Sequence, residues 1–365
     1  MMENSFGIDS KKTFKRYTRF LLPIFGLILI VFSILPILNF INDPIRQGFS
    51  DPFKRKLRQK ISDENEFQEF LERYNKNYET EDEYFTHFKN FLINYSFIRY
   101  HNMLGKSWTL SINKFADLST TDFQSQFLMN KIDIPLISNK KIATFEENPQ
   151  IPVDLDWRDT GAVLPIRDQG RCFSSWAFSA ASSIESLQYI ATNKTASLSP
   201  QQLVDCSGSF GSEGCYGGTP SQAFSYVILN GIVKDSKYPY LSTNEDCQKK
   251  KIKKPYVKIS DFNYVSPNDA ESLLNAVAQQ PISVMVDADP KIWQFYHSGI
   301  LTEDCGTGLN HAVVIVGYNN TDATPYWIVR NSWGNWWGEE GYIRIANVAG
   351  SGICGINMLP TFPIF

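Results

Sequence analysis

The sequence predicts an α+β chain of two halves, with helices first and strands afterwards, on three observations. Ala177, Ala180, Ala181, Ile184, Leu187 and Ala191 form a continuous apolar stripe at helical spacing, beginning near Ser174. Later segments at 282–286, 312–318, 326–330 and 342–345 read as strands. Past Pro152 the texture turns Gly-, Ser- and aromatic-rich, and all six cysteines fall there. Two such halves leave a crevice between them, the usual place for a site.

Composition removes several functions. The chain has 365 residues, 43% of them hydrophobic and 20% charged, which is a folding composition. The 35 Lys and Arg against 38 Asp and Glu leave a net charge of −3, without the basic footprint of a nucleic-acid partner. With four histidines, no H-E-x-x-H and no C-x-x-C, neither a metal site nor a cofactor is expected. Residues 350–355 match G-x-G-x-x-G by letter, but no strand–helix unit surrounds them, so dinucleotide binding is not expected either.

Taken in order, residues 1–19 read as a cytoplasmic tail and 20–42 as an uncleaved membrane anchor. Residues 20–38 carry no charge and are interrupted only by Pro23, Gly26, Ser33 and Pro36. That is near the minimum of roughly 17–25 residues for a bilayer span. Lys11, Lys12, Lys15, Arg16 and Arg19 precede it and only Arg46 follows closely, although a second basic cluster from Lys54 to Lys60 blurs the asymmetry. The expectation is a single-pass type II protein with its C-terminal domain in an endolysosomal or vacuolar lumen, or outside the cell. A cleaved signal peptide is the competing reading, but no small-residue cleavage site is obvious. Six cysteines, an even number, read as three disulfides in an oxidising compartment. Sequons at Asn94, Asn193 and Asn319 fit a glycoprotein there.

Residues 43–64 are basic and polar and read as a stalk. Between 65 and 130, Phe67, Phe70, Leu71 and Tyr74, then Phe88, Phe91, Leu92, Tyr95 and Ile98, recur at helical spacings. Residues 131–150 carry little periodicity and read as a linker. Residues 151–365 form the remaining domain.

Three segments of that domain resemble papain-like cysteine proteases. They are Gln169-Gly170-Arg171-Cys172-Phe173-Ser174-Ser175-Trp176, Leu309-Asn310-His311-Ala312 and Arg330-Asn331-Ser332-Trp333-Gly334. The preceding region resembles a cathepsin L-like propeptide. Glu83, Phe91, Asn94, Ile98 and Asn102 sit at the ERFNIN spacing, with His87 in place of its arginine. Asn113, Phe115 and Asp117 continue into the GNFD motif, with Ser111 for its glycine. The resemblance implies a two-lobed fold, a helical lobe and a β-barrel-like lobe, with 65–130 as an inhibitory propeptide and 131–150 as a processing linker. It further implies pairing of Cys172 with Cys215, Cys206 with Cys247 and Cys305 with Cys354.

By the same resemblance, His311 is the catalytic histidine, Asn331 orients it, and Trp333 shields the pair. Gln169 with the residue-175 N–H forms the oxyanion hole. The main specificity pocket is lined by Thr219, Pro220, Met285, Leu309 and Leu359, all uncharged, implying apolar side chains such as Leu or Phe in the peptide. Gly217 and Gly218 keep backbone open alongside it. The nucleophile position, however, holds Ser175 where the family has cysteine, and Phe173 stands where it usually has glycine. Viewed alone, Ser175 is an ordinary helix-start serine and His311 an ordinary core histidine; the flanking motifs argue otherwise.

Three functions compete. One is a pseudopeptidase, a peptide-binding or regulatory module with proteolysis lost or strongly impaired. Another is a working endopeptidase with a Ser175-His311-Asn331 triad. The third is a structural, silicatein-like role, against which Trp176 counts because silicateins have tyrosine there. Expected partners are a peptide or protein in the groove, the chain's own propeptide and the membrane.

Overall fold

A computed structural model describes residues 51–138, 141–146, 150–194 and 196–365. The expected tail and the anchor at 20–42 lie outside them. Among the described residues no helix is long and apolar enough to cross a membrane. Contacts divide the chain into two units, Met1–Lys76 and Asn77–Phe365.

The first unit contributes α1 (Asp51–Tyr74), in which Phe67, Phe70 and Tyr74 stack along one side at 5.9 and 5.3 Å. This helix starts inside the segment expected to be a stalk. That stretch has no clear apolar stripe to read. Past Pro52, though, it contains no glycine or proline and is rich in Lys, Arg, Gln and Glu, all good helix formers.

The second unit opens with α2 (Glu81–Met103), capped by Thr80, whose hydroxyl accepts from Glu83 N–H. Three acidic residues in its first turn suit the positive end of the helix dipole. One face buries Phe91, Asn94, Ile98 and His101, at spacings of three and four. Then follow β1 (Trp108–Leu110) and α3 (Thr120–Phe127), the latter started by a Ser119–Asp122 capping box. Beyond β2 (Asp154–Asp156), the helices α4 (Ser175–Thr192), α5 (Pro200–Cys206) and α6 (Pro220–Asn230) come together. After them come β3 (Asp261–Tyr264), α7 (Ala270–Gln279), β4 (Ile282–Val286), α8 (Lys291–Phe295) and β5 (Tyr296–Leu301). The chain finishes with β6 (His311–Asn319), β7 (Tyr326–Arg330), β8 (Tyr342–Ala346) and β9 (Thr361–Ile364).

The strands run in the order β1-β5-β8-β7-β6-β4-β9-β3, with β2 pairing on β6. Pairing is antiparallel except between β5 and β8. The four segments expected as strands fall on β4, β6, β7 and β8. The apolar stripe of α4 enters a core of Trp176, Ala177, Ala180, Ala181 and Ile184 with Leu203, Phe224 and Met285. Disulfides join Cys172–Cys215, Cys206–Cys247 and Cys305–Cys354, which accounts for all six cysteines. Asn94, expected as a glycan acceptor, is buried. Its Nδ2 donates to Ala116 O at 2.9 Å and Leu118 O at 2.7 Å, so the folded chain offers no access to it.

Candidate active site

Ser175 is the first residue of α4 and His311 the first of β6, so the start of a helix meets the start of a central strand. The Ser175 hydroxyl accepts from Ala312 N–H at 3.1 Å. His311 Nε2 donates to Asn331 Oδ1 at 2.8 Å, and that oxygen also accepts Ser332 N–H at 2.8 Å. With Nε2 carrying the proton, Nδ1 is the bare nitrogen, and among the described residues it has no hydrogen-bond partner. His311 is fully buried, and loss of hydration lowers its pKa to about 4, against the opposing bond to Asn331. It is therefore a neutral imidazole over most of the pH range.

The Trp333 indole lies 4.6 Å from the His311 ring and is 1% exposed. Phe115 and Phe123 of the N-terminal segment meet it edge-on at 5.7 and 5.4 Å, and Phe115 also meets Trp336 at 4.9 Å. Those contacts between sequence-distant rings could not be read from the chain. The spacing of Phe115, Phe123 and Phe127 around a short capped helix was their one available signal.

Gln169 is fully buried. Ser332 Oγ donates to its Oε1 at 2.7 Å, which turns the Nε2 donor towards the groove. There Nε2 meets the carbonyl oxygens of Cys172 at 3.1 Å and Phe127 at 3.4 Å. No local pattern in the sequence marks Ser332 for this positioning role, although it sits between Asn331 and Trp333. Tyr240 and Ser242 hydroxyls hold the Gln169 carbonyl at 2.7 and 2.9 Å.

From Phe127 onward the N-terminal segment runs along a groove. Met129 N–H donates to Asn310 O at 3.2 Å and Ile132 N–H to Leu309 O at 2.9 Å. Met129 joins the apolar cluster containing Met285, Leu309, Ala312 and Leu359, with Ile132 and Phe173 packed against it. Thr219 and Pro220 stand close by as cap and first residue of α6. Lys131 forms an ion pair with Asp289 at 2.8 Å, and Asp289 accepts from Asn310 Nδ2 at 2.6 Å. A cavity of about 490 Å³ remains beside Met129, Ile132, Gly217, Gly218 and Thr219. A Cβ at Gly217 would stand 3.2 Å from that of Met129, at a φ of +139°, and one at Gly218 would strike the Trp176 ring at 2.8 Å. The expected groove residues are thus brought together, and a strand-like peptide lies along them.

Residues 151–364 match the papain family cysteine protease model, and residues 67–123 match the cathepsin propeptide inhibitor domain (I29). The chain belongs to the papain family of cysteine proteases. It is a cathepsin L-like homologue that carries its own propeptide inhibitor domain. Vignain of Phaseolus vulgaris is 42% identical over 286 residues, covering 76% of this chain and 79% of that protein. Cysteine protease XCP2 of Arabidopsis thaliana is 38% identical over 303 residues, covering 81% and 85%. Among solved structures, the proform of the ragweed pollen allergen Amb a 11 cysteine protease superposes with a TM-score of 0.78 at 35% identity, covering 87% of this chain and 98% of that one. A recombinant stem bromelain precursor gives 0.75 at 35%, covering 83% and 99%.

Proposed function

We propose that this chain is a membrane-tethered, papain-fold proprotein that holds apolar peptide segments in its groove and hydrolyses them poorly or not at all. Residues 20–42 are the tether, and the folded part lies in a lumen or outside the cell. Ser175 stands where the family has its nucleophilic cysteine, with His311, Asn331 and Gln169 in their family roles. A thiol in such a place is held as a thiolate by the helix dipole and a histidinium. A hydroxyl cannot ionise there and must hand its proton to a base during attack.

One observation carries the reading. The Ser175 hydroxyl accepts from Ala312 N–H, while His311 Nδ1 has no hydrogen-bond partner among the described residues, so no hydrogen bond joins Ser175 to His311. The groove keeps its apolar lining, its backbone acceptors and its glycines. Binding is retained where cleavage is not. Phe173 adds bulk beside Ser175 and packs into the same apolar cluster.

A second reading has its own support. The neutral His311 with a bare Nδ1 is the protonation state that a general base for a serine needs. A working Ser175-His311-Asn331 endopeptidase would use it, with Gln169 Nε2 and Ser175 N–H stabilising the oxyanion.

The test is hydrolysis of a fluorogenic peptide with Leu or Phe before the cleaved residue, by wild-type domain and by His311→Ala. Equal rates support the binding module. A wild-type rate far above that of His311→Ala, or a covalent active-site adduct mapped to Ser175, establishes the serine endopeptidase instead. Purified proprotein at acidic pH is expected to stay intact, and a trace of an active cathepsin L-like enzyme is expected to trim it near residues 147–152.

A further inference from the structure

The densest charge in the second unit lies in the stretch after α6. Residues 249–254 are all lysine except Ile252, and Lys234, Lys237 and Lys258 lie in the neighbouring strands of chain. Cross-chain bonds gather them on one surface. Ile232 N–H donates to Val257 O at 2.8 Å, and Tyr256 and Val257 N–H return to Ile232 O at 2.8 and 3.1 Å. Lys237 Nζ donates to Lys254 O at 3.3 Å, and the Cys206–Cys247 disulfide pins the start of the run. All of these lysines are exposed except Lys251, which is half-buried.

Among the described residues, none of them takes part in an ion pair. The acidic residues of the same stretch are Asp235, Glu245 and Asp246, too few to neutralise it. Since the whole chain carries a net −3, the patch is a local concentration and not general basicity. Crowded like charges raise the energy of the folded state, and a polyanion relieves that repulsion while its own condensed counterions are released on binding.

We propose that this face binds an acidic polysaccharide through its carboxylate or sulfate groups. Two features select that class. The local rings are not free to stack on bases, because Lys234 covers Tyr256 at 4.3 Å and Lys251 covers Tyr238 at 5.0 Å. Within residues 249–254 the one apolar side chain, Ile252, is half-buried, and the exposed Tyr256 ring lies under Lys234, so no free apolar wedge is presented to a lipid surface.

The test uses the full chain in neutral detergent on immobilised heparin, a sulfated probe, and on immobilised polygalacturonate, a carboxylate probe. Phosphatidylserine vesicles and single-stranded DNA serve as the competing classes. Wild type is expected to stay bound to at least one polysaccharide beyond about 0.15 M salt. The quadruple substitution Lys249→Ala, Lys250→Ala, Lys253→Ala and Lys254→Ala is expected to release it near the start of the gradient, with unfolding temperature unchanged or raised. The pair Lys249→Glu and Lys253→Glu repeats the measurement should the quadruple variant fold poorly. Three results overturn the proposal. They are unchanged retention in these variants, loss of retention only on neutralising the Lys54 to Lys60 cluster, and binding to vesicles or DNA without binding to either polysaccharide.

Discussion

The two ends of the His311 imidazole differ in what they meet. At Nε2 and across the ring, Asn331 accepts the proton-bearing nitrogen, Trp333 covers the face, and Phe115 and Phe123 of the pro-segment close over that indole. At Nδ1 there is no hydrogen-bond partner among the described residues, and the neighbouring Ser175 hydroxyl accepts from Ala312 N–H. Orientation, shielding and the docking of the pro-segment meet on one side of the ring, and the other side is left open towards Ser175.

On the proposed reading, placing sulfur at residue 175 should erase that difference. Ser175→Cys combined with Phe173→Gly is expected to raise kcat/KM of the matured domain on the fluorogenic peptide by about 10⁴-fold or more, roughly 5.5 kcal/mol of barrier. Ser175→Cys alone is expected to gain less, and equal gains would show that the Phe173 ring does not obstruct the site.

On the shielded side, Phe123→Ala removes a fully buried ring from the Trp333 contact. The expected loss of proprotein stability is about 3–5 kcal/mol, read from denaturant unfolding. A loss below about 1 kcal/mol would mean that the aromatic cap does not hold the pro-segment.

The protonation of His311 gives a smaller effect with a definite sign. Burial holds the folded-state imidazole at about 4, against 6.5 for an ordinary one, so the unfolded chain takes up this proton first as pH falls. The contribution is full above about pH 6.5 and drains away towards pH 4, at most about 3 kcal/mol. His311→Gln should flatten that part of the stability–pH curve relative to wild type. A parallel curve for the variant would show that the histidine is hydrated in the proform.

The smallest expected change lies in α2. Asn94→Ala removes the amide that donates to the Ala116 and Leu118 carbonyls and accepts from the Lys291 ammonium at 2.9 Å, leaving Leu118 O only the 3.4 Å bond from Gln294 Nε2. A loss of about 1–3 kcal/mol is expected in thermal unfolding of the proprotein. No change would mean that water replaces the amide there.

Much of this was legible in the chain because periodicity and motif spacing are local signals. The α4 stripe and strands β4, β6, β7 and β8 are long enough to show their pattern. Strands β1, β2, β3 and β9 are three or four residues each, too short for alternation to register. The start of α1 falls in the expected stalk because a charged helix and a polar stalk share a composition. Groove residues from four separate segments could be assembled only by resemblance. The turning of the Gln169 amide by Ser332, and the meeting of Phe115 with Trp333, depend on tertiary contacts that no local pattern encodes.

The outermost strand of the sheet, β1, belongs to the pro-segment, where Trp108 stands opposite Gly299 and Thr109 opposite Ser298 of β5. Cutting the chain anywhere in 131–150 and releasing what precedes it therefore uncovers a row of backbone donors and acceptors along β5. Such a row is an open template for any extended chain. Maturation would then create a second peptide-capturing surface, one built from backbone and indifferent to residue 175. A matured protein with no cleavage chemistry would still have gained the capacity to recruit a strand from a neighbour.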